Sequence, residues 1–405
     1  MVSEPRQACH TLNLCQQIAD RIAAQPQQRV PFADYMDWVL YDPEAGYYAT
    51  NTAQIGVKGD FFTSPHLGPD FGELLAEQFL EMWQMLEQPT PFTVVEMGAG
   101  QGLIAADVLN YLNDRAHAIP DPYGSFWAAL RYILIEKAQG LITAQQDHLQ
   151  RTCQHSNKLS WATLETLPQG GITGCFFSNE LVDALPVHPI VYEAGTLQEV
   201  YVAIAQPSHP YPFTEVLAAP STPKLAEYLA WLGIDLHRPD YTQGYRSEIN
   251  LAALDWLQAV TDHLQRGYLL TIDYGYTAAQ YYHPARSQGT LQCYRHHGAH
   301  SDPYAYIGHQ DITAHVNFTA LSRYGEQLGL QTVGWTQQGL FLMALGLGDR
   351  LVANNTTPDL SALSTVIRRR EALHALISPM GLGNFQVLIQ SKGLEGMHSL
   401  KGLRP

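Results

Sequence analysis

The stretch Thr93-Val94-Val95-Glu96-Met97-Gly98-Ala99-Gly100-Gln101-Gly102-Leu103 decides the fold. An apolar run ends in a carboxylate and then in three glycines at alternate positions. Leu103, Ile104, Ala105, Ala106, Val108 and Leu109 follow with helical spacing. Val94, Val95 and Met97 suit a strand covered on both faces, so the reading is a buried parallel strand turning into a helix. Glycines let backbone approach a ligand closely. Such a turn also aims backbone N–H groups and the positive end of a helix dipole, about half a charge, at whatever sits above it. A carboxylate or phosphate is the natural guest.

A dinucleotide-binding turn reads Gly-x-Gly-x-x-Gly, whereas this one reads Glu-x-Gly-x-Gly-x-Gly and puts bulky Leu103 where the third glycine would stand. That spacing disfavours a nicotinamide enzyme. It resembles the first motif of Rossmann-like S-adenosylmethionine (SAM) methyltransferases, where the loop faces the methionine end of the cofactor. A glycine-rich turn with no ligand is the competing reading. Arg131-Tyr132-Ile133-Leu134-Ile135-Glu136 is a second apolar strand ending in an acid. In doubly wound sheets an acid there takes the ribose hydroxyls; an exposed strand-end glutamate is its alternative. Glu96, Gly98, Ala99, Gly100, Gly102 and Glu136 are therefore candidate cofactor-binding residues.

Lys158-Leu159-Ser160-Trp161 reads as a short third strand, its tryptophan lying either beside adenine or in the core. Gly174-Cys175-Phe176-Phe177-Ser178 is the fourth, running into Asn179-Glu180-Leu181-Val182-Asp183-Ala184-Leu185-Pro186. In a SAM methyltransferase the end of this strand faces the transferred methyl group. That position makes Asn179 a cofactor candidate and Glu180 and Asp183 catalytic candidates. The fifth strand, Gly267-Tyr268-Leu269-Leu270-Thr271-Ile272-Asp273, ends in another acid, which either joins the cleft or caps a turn.

With 405 residues the chain can bury a large core in one large domain with additions, or in two. The net charge of −15 argues against a nucleic-acid partner, which needs clustered Lys and Arg, and favours a cationic substrate. The five cysteines make no Cys-x-x-Cys pair, and the expectation is a reducing, cytoplasmic setting. Residues 1–20 lack an uninterrupted apolar core, so no signal or transmembrane segment is expected. The run Arg295-His296-His297-Gly298-Ala299-His300 lacks accompanying carboxylates or cysteines at ligand spacing, and no metal site is assigned.

Taken in order, residues 12–23 and 30–40 read as helices, the second entered through Pro31, and residues 41–48 as a turn flanked by aromatics. Residues 60–65 combine glycine-flanked polar residues with two aromatics. They read either as a lid over the cofactor, which puts Thr63 and Ser64 among its candidate contacts, or as an ordinary loop held by Phe61 and Phe62. A helix follows over 69–86. Residues 187–205 alternate as a β-hairpin around Glu193-Ala194-Gly195-Thr196, a helix resumes over 247–264, and a closing antiparallel strand pair near the C-terminus brackets a helical insert. Arg368-Arg369-Arg370 reads as a solvated helix face. The expected division is 1–90, an N-terminal helical layer with the lid loop; 91–186, the cofactor-binding half; 187–245, an inserted substrate cover; and 246–405, the rest of the sheet.

Several stretches together resemble one family, the MidA-like SAM-dependent methyltransferases, which include the mitochondrial complex I assembly factor. They are Gly59-Asp60-Phe61-Phe62-Thr63-Ser64-Pro65 with Phe71-Gly72-Glu73, the glycine loop, Asn179-Glu180 with Asp183-Ala184-Leu185-Pro186, Ile272-Asp273-Tyr274-Gly275-Tyr276, and Gly289-Thr290-Leu291 with Asp311-Ile312-Thr313-Ala314-His315-Val316-Asn317-Phe318. The likeness runs over about residues 28–390. It implies an α/β class I Rossmann-like methyltransferase sheet. It also implies SAM as cofactor and, for mitochondrial members, symmetric dimethylation of an arginine on a complex I subunit. Three positions depart from the pattern: His66 stands where many relatives have an acid, Lys137-Ala138 where proline and serine are common, and Asn317 where aspartate is frequent.

Arginine chemistry has its own physical requirement. The guanidinium is protonated and delocalised at any ordinary pH, so carboxylates must hold it and draw positive charge away from the attacking nitrogen. Glu180 and Asp183 lie three apart, on one side of a turn, and Asp273 can assist from the next strand. Two rival classes stand beside this one: a non-catalytic factor that grips a respiratory subunit through a SAM-type fold, and the NAD-linked enzyme. Leu181-Val182 after Asn179-Glu180, in place of the Asn-Pro-Pro-Tyr motif, argues against amide or nucleobase methylation.

Overall fold

In the computed structural model, which describes residues 12–50, 63–153, 156–296, 298–353, 363–394 and 399–404, the deciding stretch is the strand Phe92–Met97 (β1), buried along its whole length. Its side chains alternate between two cores. Val94 packs with helices Asp70–Met85 and Leu103–Ala118, while Val95 and Met97 pack with helices Leu251–His263 and Phe318–Gln327. A strand covered on both faces need not show the apolar–polar alternation of a surface strand, and its sequence is mostly apolar, with Thr93 and Glu96 the exceptions.

The remaining central strands are Leu130–Ile135 (β2), Leu159–Ala162 (β3), Ile172–Asn179 (β4), Leu264–Asp273 (β5), Gln331–Gln337 (β6) and Gln386–Lys392 (β7). Their order is β3-β2-β1-β4-β5-β7-β6. Strands β1 to β5 pair in parallel, and β7 runs antiparallel to both β5 and β6. The order reverses between β1 and β4, so the carboxyl ends of those two strands form the topological switch point.

A second, antiparallel sheet is built mostly from the insertion. Strands His188–Glu193 and Thr196–Ile204 form the expected hairpin, turning through Ala194 and Gly195 at φ 51° and 77°, as a two-residue turn of this hand requires. Phe213–Ala218, Tyr245–Ile249 and Arg29–Pro31 complete the sheet. Two expectations change here. Pro31 closes a strand rather than opening a helix, and the helix Phe32–Tyr41 starts after it. Residues 245–249 are a strand, and the next helix begins only at Leu251, where Asn250 Oδ1 accepts a 2.8 Å hydrogen bond from Ala253 N–H as its N-cap. In both places pairing with the hairpin overrides the local helical pattern.

The family stretch around Gly289 also has a structural reason. Buried Glu248 accepts hydrogen bonds from the Thr290 N–H and hydroxyl and from the Tyr281 hydroxyl. A Cβ on Gly289, whose φ is +73°, would lie 2.0 Å from Glu248 Oε1. Asn317 caps the helix Phe318–Gln327 through Ala320 N–H, a task that needs an acceptor rather than an acid. No helix among the described residues is long and apolar enough to cross a membrane.

Candidate active site

The switch point opens into a cleft. The loop after β1, Glu136 after β2, Asn179 and Glu180 after β4, and a wall of Tyr41, Tyr48, Thr63, Pro65 and His66 enclose it.

Gly98, Gly100 and Gly102 have φ of 68°, 53° and 77°, left-handed values that side chains resist. A Cβ on Gly100 would meet nothing within 4 Å, so the backbone there borders open cleft and leaves room for a ligand. Gly102 faces the other way: its Cβ would lie 3.2 Å from Leu149, and it starts the helix Leu103–Ala118 without lining the cleft. Its part is to make the turn, not to touch a guest. Glu96 lines the cleft floor, only 2% exposed, and accepts a 2.7 Å hydrogen bond from the Tyr132 hydroxyl. Burial pushes its carboxyl up to about 8, against the pull of that bond.

Glu136 Oε1 accepts from the backbone N–H groups of Lys137 and Ala138 at 2.8 and 3.0 Å. Both donors are main-chain, and the lysine supplies one that a proline would lack. Oε2 has only a 3.5 Å contact with Gln145 Nε2, so it remains available to ribose hydroxyls. Gln145 is a residue the sequence reading missed. Fully buried, it donates to the Gly100 carbonyl at 2.9 Å and accepts from the Trp161 indole N–H at 2.9 Å, tying the glycine loop to β3. Its signal was a polar residue on the buried stripe Leu141, Gln145, Leu149. Trp161 is thereby corrected: it does not line the cleft, and its indole orients Gln145.

At the end of β4, Glu180 sits at φ 52°, a backbone conformation that costs a non-glycine residue about 1 kcal/mol or more. Its N–H donates to the Ile272 carbonyl at 2.9 Å, which anchors the strained residue to β5. The carboxyl faces the cleft and is pushed up to about 8, by burial first and then by the charge of Asp183; the Asn179 amide and the Ser64 backbone N–H pull the other way. Asn179 Nδ2 donates to Glu180 Oε1 at 3.0 Å, while Asn179 Oδ1 is buried without a partner among the described residues.

Asp183 and Asp273 stand behind this wall. Asp273, fully buried, accepts from the N–H groups of Val182, Asp183 and Tyr274. It holds the turn that carries Asp183, and the catalytic expectation for it gives way to the turn-capping one. Asp183, 5% exposed, has one carboxylate oxygen bonded to the Tyr274 hydroxyl and the other without a partner among the described residues. Burial raises the carboxyls of both aspartates.

The N-terminal wall brings residues that carried no role in the sequence reading. Tyr41 and Tyr48 stack at 5.3 Å between ring centroids and 29° between planes. Tyr41 donates to the Ala184 carbonyl at 3.0 Å, and Tyr48 to buried Asp311 at 2.9 Å. The signal was the aromatic-flanked turn at 41–48, held by Asp42 Oδ1 accepting from Glu44 and Ala45 N–H. Thr63 Oγ1 lies 2.7 Å from His66 Nδ1, and both residues line the cleft. Ser64 is fully buried, turned away from the cleft onto Gln338, which corrects its place as a direct cofactor contact. Residues 60–62 of the expected lid lie outside the described residues.

The open face at Gly100, the accessible Oε2 of Glu136 and the orphan Oδ1 of Asn179 are a glycine cradle and two acceptors, which fit the carboxylate, ribose diol and ammonium of SAM. A family described as S-adenosyl-L-methionine-dependent methyltransferases matches residues 74–336. The chain belongs to this methyltransferase family. A Burkholderia thailandensis structure bound to S-adenosyl-homocysteine superposes with a TM-score of 0.83 at 30% identity, covering 96% of this chain and 94% of that one. The methyltransferase is therefore an enzyme with SAM as cofactor, on a class I α/β sheet. It is 30% identical over 331 residues to a Drosophila melanogaster protein named protein arginine methyltransferase NDUFAF7 homolog, mitochondrial, covering 78% of this chain and 71% of that one. The Homo sapiens protein named protein arginine methyltransferase NDUFAF7, mitochondrial, is 27% identical, with 91% and 81% covered. These names overturn the cytoplasmic placement read from scattered cysteines, because cysteine spacing reports redox chemistry and not address.

Proposed function

We propose that the methyltransferase methylates an arginine side chain of a protein, a subunit of a respiratory NADH-dehydrogenase-type complex, with symmetric dimethylarginine as the product. The observation that carries this reading is Glu180, a strained carboxylate facing the cleft beside two stacked tyrosines with Asp183 behind it. The arginine specificity named for the relatives supports it.

Glycine-loop residues Gly98, Ala99 and Gly100, with Glu96, Glu136, Asn179 and Thr63, would hold SAM, which when bound supplies an electrophilic methyl group on a sulfonium. The chain's own task is to hold the acceptor. Burial raises the Glu180 carboxyl to about 8, so it holds its proton at neutral pH until a cation pairs with it. A guanidinium arriving beside it favours the ionised form, so binding expels that proton and leaves a charge-assisted pair. Asp183 adds a second negative charge on the same side, which concentrates the guanidinium's positive charge there and directs the remaining nitrogen toward the methyl group. The rings of Tyr41 and Tyr48 give the cation a π surface. The net charge of −15 steers a basic segment to the cleft, and residues 187–245 supply selectivity for the surrounding polypeptide.

Glu180→Gln keeps the size of the side chain and removes its charge. Calorimetry should show SAM affinity within about threefold of wild type, while transfer of labelled methyl groups to protein falls by roughly 100-fold or more, as for an interaction realised in the transition state. Asp183→Asn should act in the same direction and more weakly. Undiminished transfer by Glu180→Gln would remove the assignment.

A further inference from the structure

Residues 274–276, 289–291 and 311–318, far apart in sequence, meet behind Asp183. The Ala314 N–H donates to the Asp183 carbonyl at 2.9 Å, and the Val316 N–H to the Tyr274 carbonyl at 3.0 Å. The pair Gly275–Tyr276 runs parallel to Val316–Asn317, and a Cβ on Gly275 would lie 2.1 Å from the Val316 carbonyl oxygen, so glycine alone permits the approach. Between these anchors the His315 N–H donates to Thr290 Oγ1 at 3.1 Å, and the Thr290 hydroxyl is itself fixed on buried Glu248 at 2.9 Å. One short segment thus ties the turn that carries Asp183 to the strand end that carries Tyr274. The same backbone bonds fix where the His315 side chain goes. Its ring lies between two tyrosines: parallel to Tyr276, at 4.9 Å between centroids and 2° between planes, and edge-on to Tyr274, at 5.0 Å and 81°. Phe385 also packs on Tyr274, at 5.4 Å and 53°, and Arg286 lies over the Tyr276 ring at 4.2 Å. His315 Nδ1 is buried with no partner among the described residues. Burial, with the Arg286 charge nearby, lowers the imidazole to about 4, so the ring is neutral at ordinary pH and offers its neighbours shape rather than charge.

We infer that His315 is a positioning residue for methyl transfer, its ring holding the Tyr274 phenol at the angle that keeps the hydroxyl on Asp183. This rests on the reading of Asp183 as the second carboxylate that draws on the guanidinium. The Tyr274 hydroxyl sits at the far end of its ring, so a small rotation about the side-chain bonds moves it more than any other atom of the residue. Hydrogen bonds weaken steeply with misalignment, and a modest rotation loosens the grip on Asp183 Oδ2. Edge-on contact is a geometry that aromatic pairs favour, and an aliphatic side chain does not reproduce it. His315 need not touch the acceptor for this to work.

The test measures initial rates of labelled methyl transfer from SAM into extract protein for wild type, His315→Ala, His315→Phe, Tyr274→Phe and the double variant of His315→Ala with Tyr274→Phe. SAM affinity is followed by calorimetry and folding by urea denaturation. His315→Ala should bind SAM within about threefold of wild type and transfer methyl groups about tenfold more slowly or worse, the scale of a lost hydrogen bond to a charged group. His315→Phe keeps a ring in place and should recover transfer to within about threefold of wild type. Where Tyr274→Phe has already removed the hydroxyl, His315→Ala should cost less than about threefold more, as expected for two residues acting through one bond. Losses that multiply, a His315→Phe as slow as His315→Ala, or a His315→Ala at the wild-type rate would each overturn the inference. Should His315→Ala not fold, His315→Leu, which fills the space without a ring, takes its place in the same comparison. Asp183→Asn and Tyr274→Phe separate the two levels. If both transfer at the wild-type rate, the reading of Asp183 fails and takes the inference with it; if both are slow while His315→Ala is not, only the positioning role fails.

Discussion

The Tyr274 hydroxyl donates a 2.5 Å hydrogen bond to Asp183 Oδ2, and Oδ1 of the same carboxylate is buried with no partner among the described residues. That bond favours the charged form against a burial that disfavours it. Tyr274→Phe removes the hydroxyl alone. Losing a hydrogen bond to a charged group is worth about 1.5–3 kcal/mol, so methyl transfer at neutral pH should fall about tenfold or more with SAM affinity unchanged. Steady-state kinetics beside calorimetry check this; an equal loss in SAM affinity would place Asp183 in cofactor binding instead.

Cofactor affinity should depend on Glu136 and on the path that holds it. Glu136→Ala should weaken SAM by about 1–3 kcal/mol. Gly100→Val, which crowds the open face of the turn, should abolish measurable binding. Trp161→Phe deletes only the indole N–H that orients Gln145, and should cost less than Gln145→Ala. A Trp161→Phe loss as large as that of Glu136→Ala would return the tryptophan to direct contact with adenine.

Glycine at 289 is a matter of stability rather than chemistry. Gly289→Ala would force a Cβ against Glu248 Oε1 in a left-handed conformation. It should destabilise the fold by about 2 kcal/mol or more, read from urea denaturation, and leave SAM affinity of the folded fraction intact.

These residues show what a sequence reveals and what it hides. Strands β1, β2 and β4 are legible because burial makes most of their residues apolar, and the glycine turn because its backbone conformation disfavours side chains. The strand Tyr245–Ile249 is hidden because its partner is the hairpin some fifty residues upstream, a pairing that local pattern does not encode. Asp273 and Trp161 stand at the strand ends where ligand contacts belong. Whether such a side chain meets a ligand, a turn or Gln145 depends on where it points, which spacing leaves open. Gln338 and Arg369 are hidden for a further reason: the groups that give them meaning, Ser64 and Asp70, are nearly three hundred residues away.

Stability should fall as pH rises from about 5 to 8. Folded Glu96 and Glu180 keep their protons to about pH 8, whereas the unfolded chain loses them near 4.5. Between those values the folded state binds more protons, so their contribution is complete below the unfolded value and is lost as pH climbs toward the folded one. Glu180→Gln carries no such penalty and should be more stable than wild type at pH 8, by about 1–3 kcal/mol, with little difference at pH 5. A variant less stable than wild type at pH 8 would contradict a Glu180 that stays protonated in the folded protein.

Methyl transfer to arginine is tested most directly by residue-level mass spectrometry. Wild-type enzyme and Glu180→Gln are each incubated with methyl-labelled SAM and extract from cells lacking the gene, and the labelled residue is located. Methylated arginine in protein is expected with the wild type, and its loss with Glu180→Gln. Label on lysine, nucleic acid or a small molecule would contradict it.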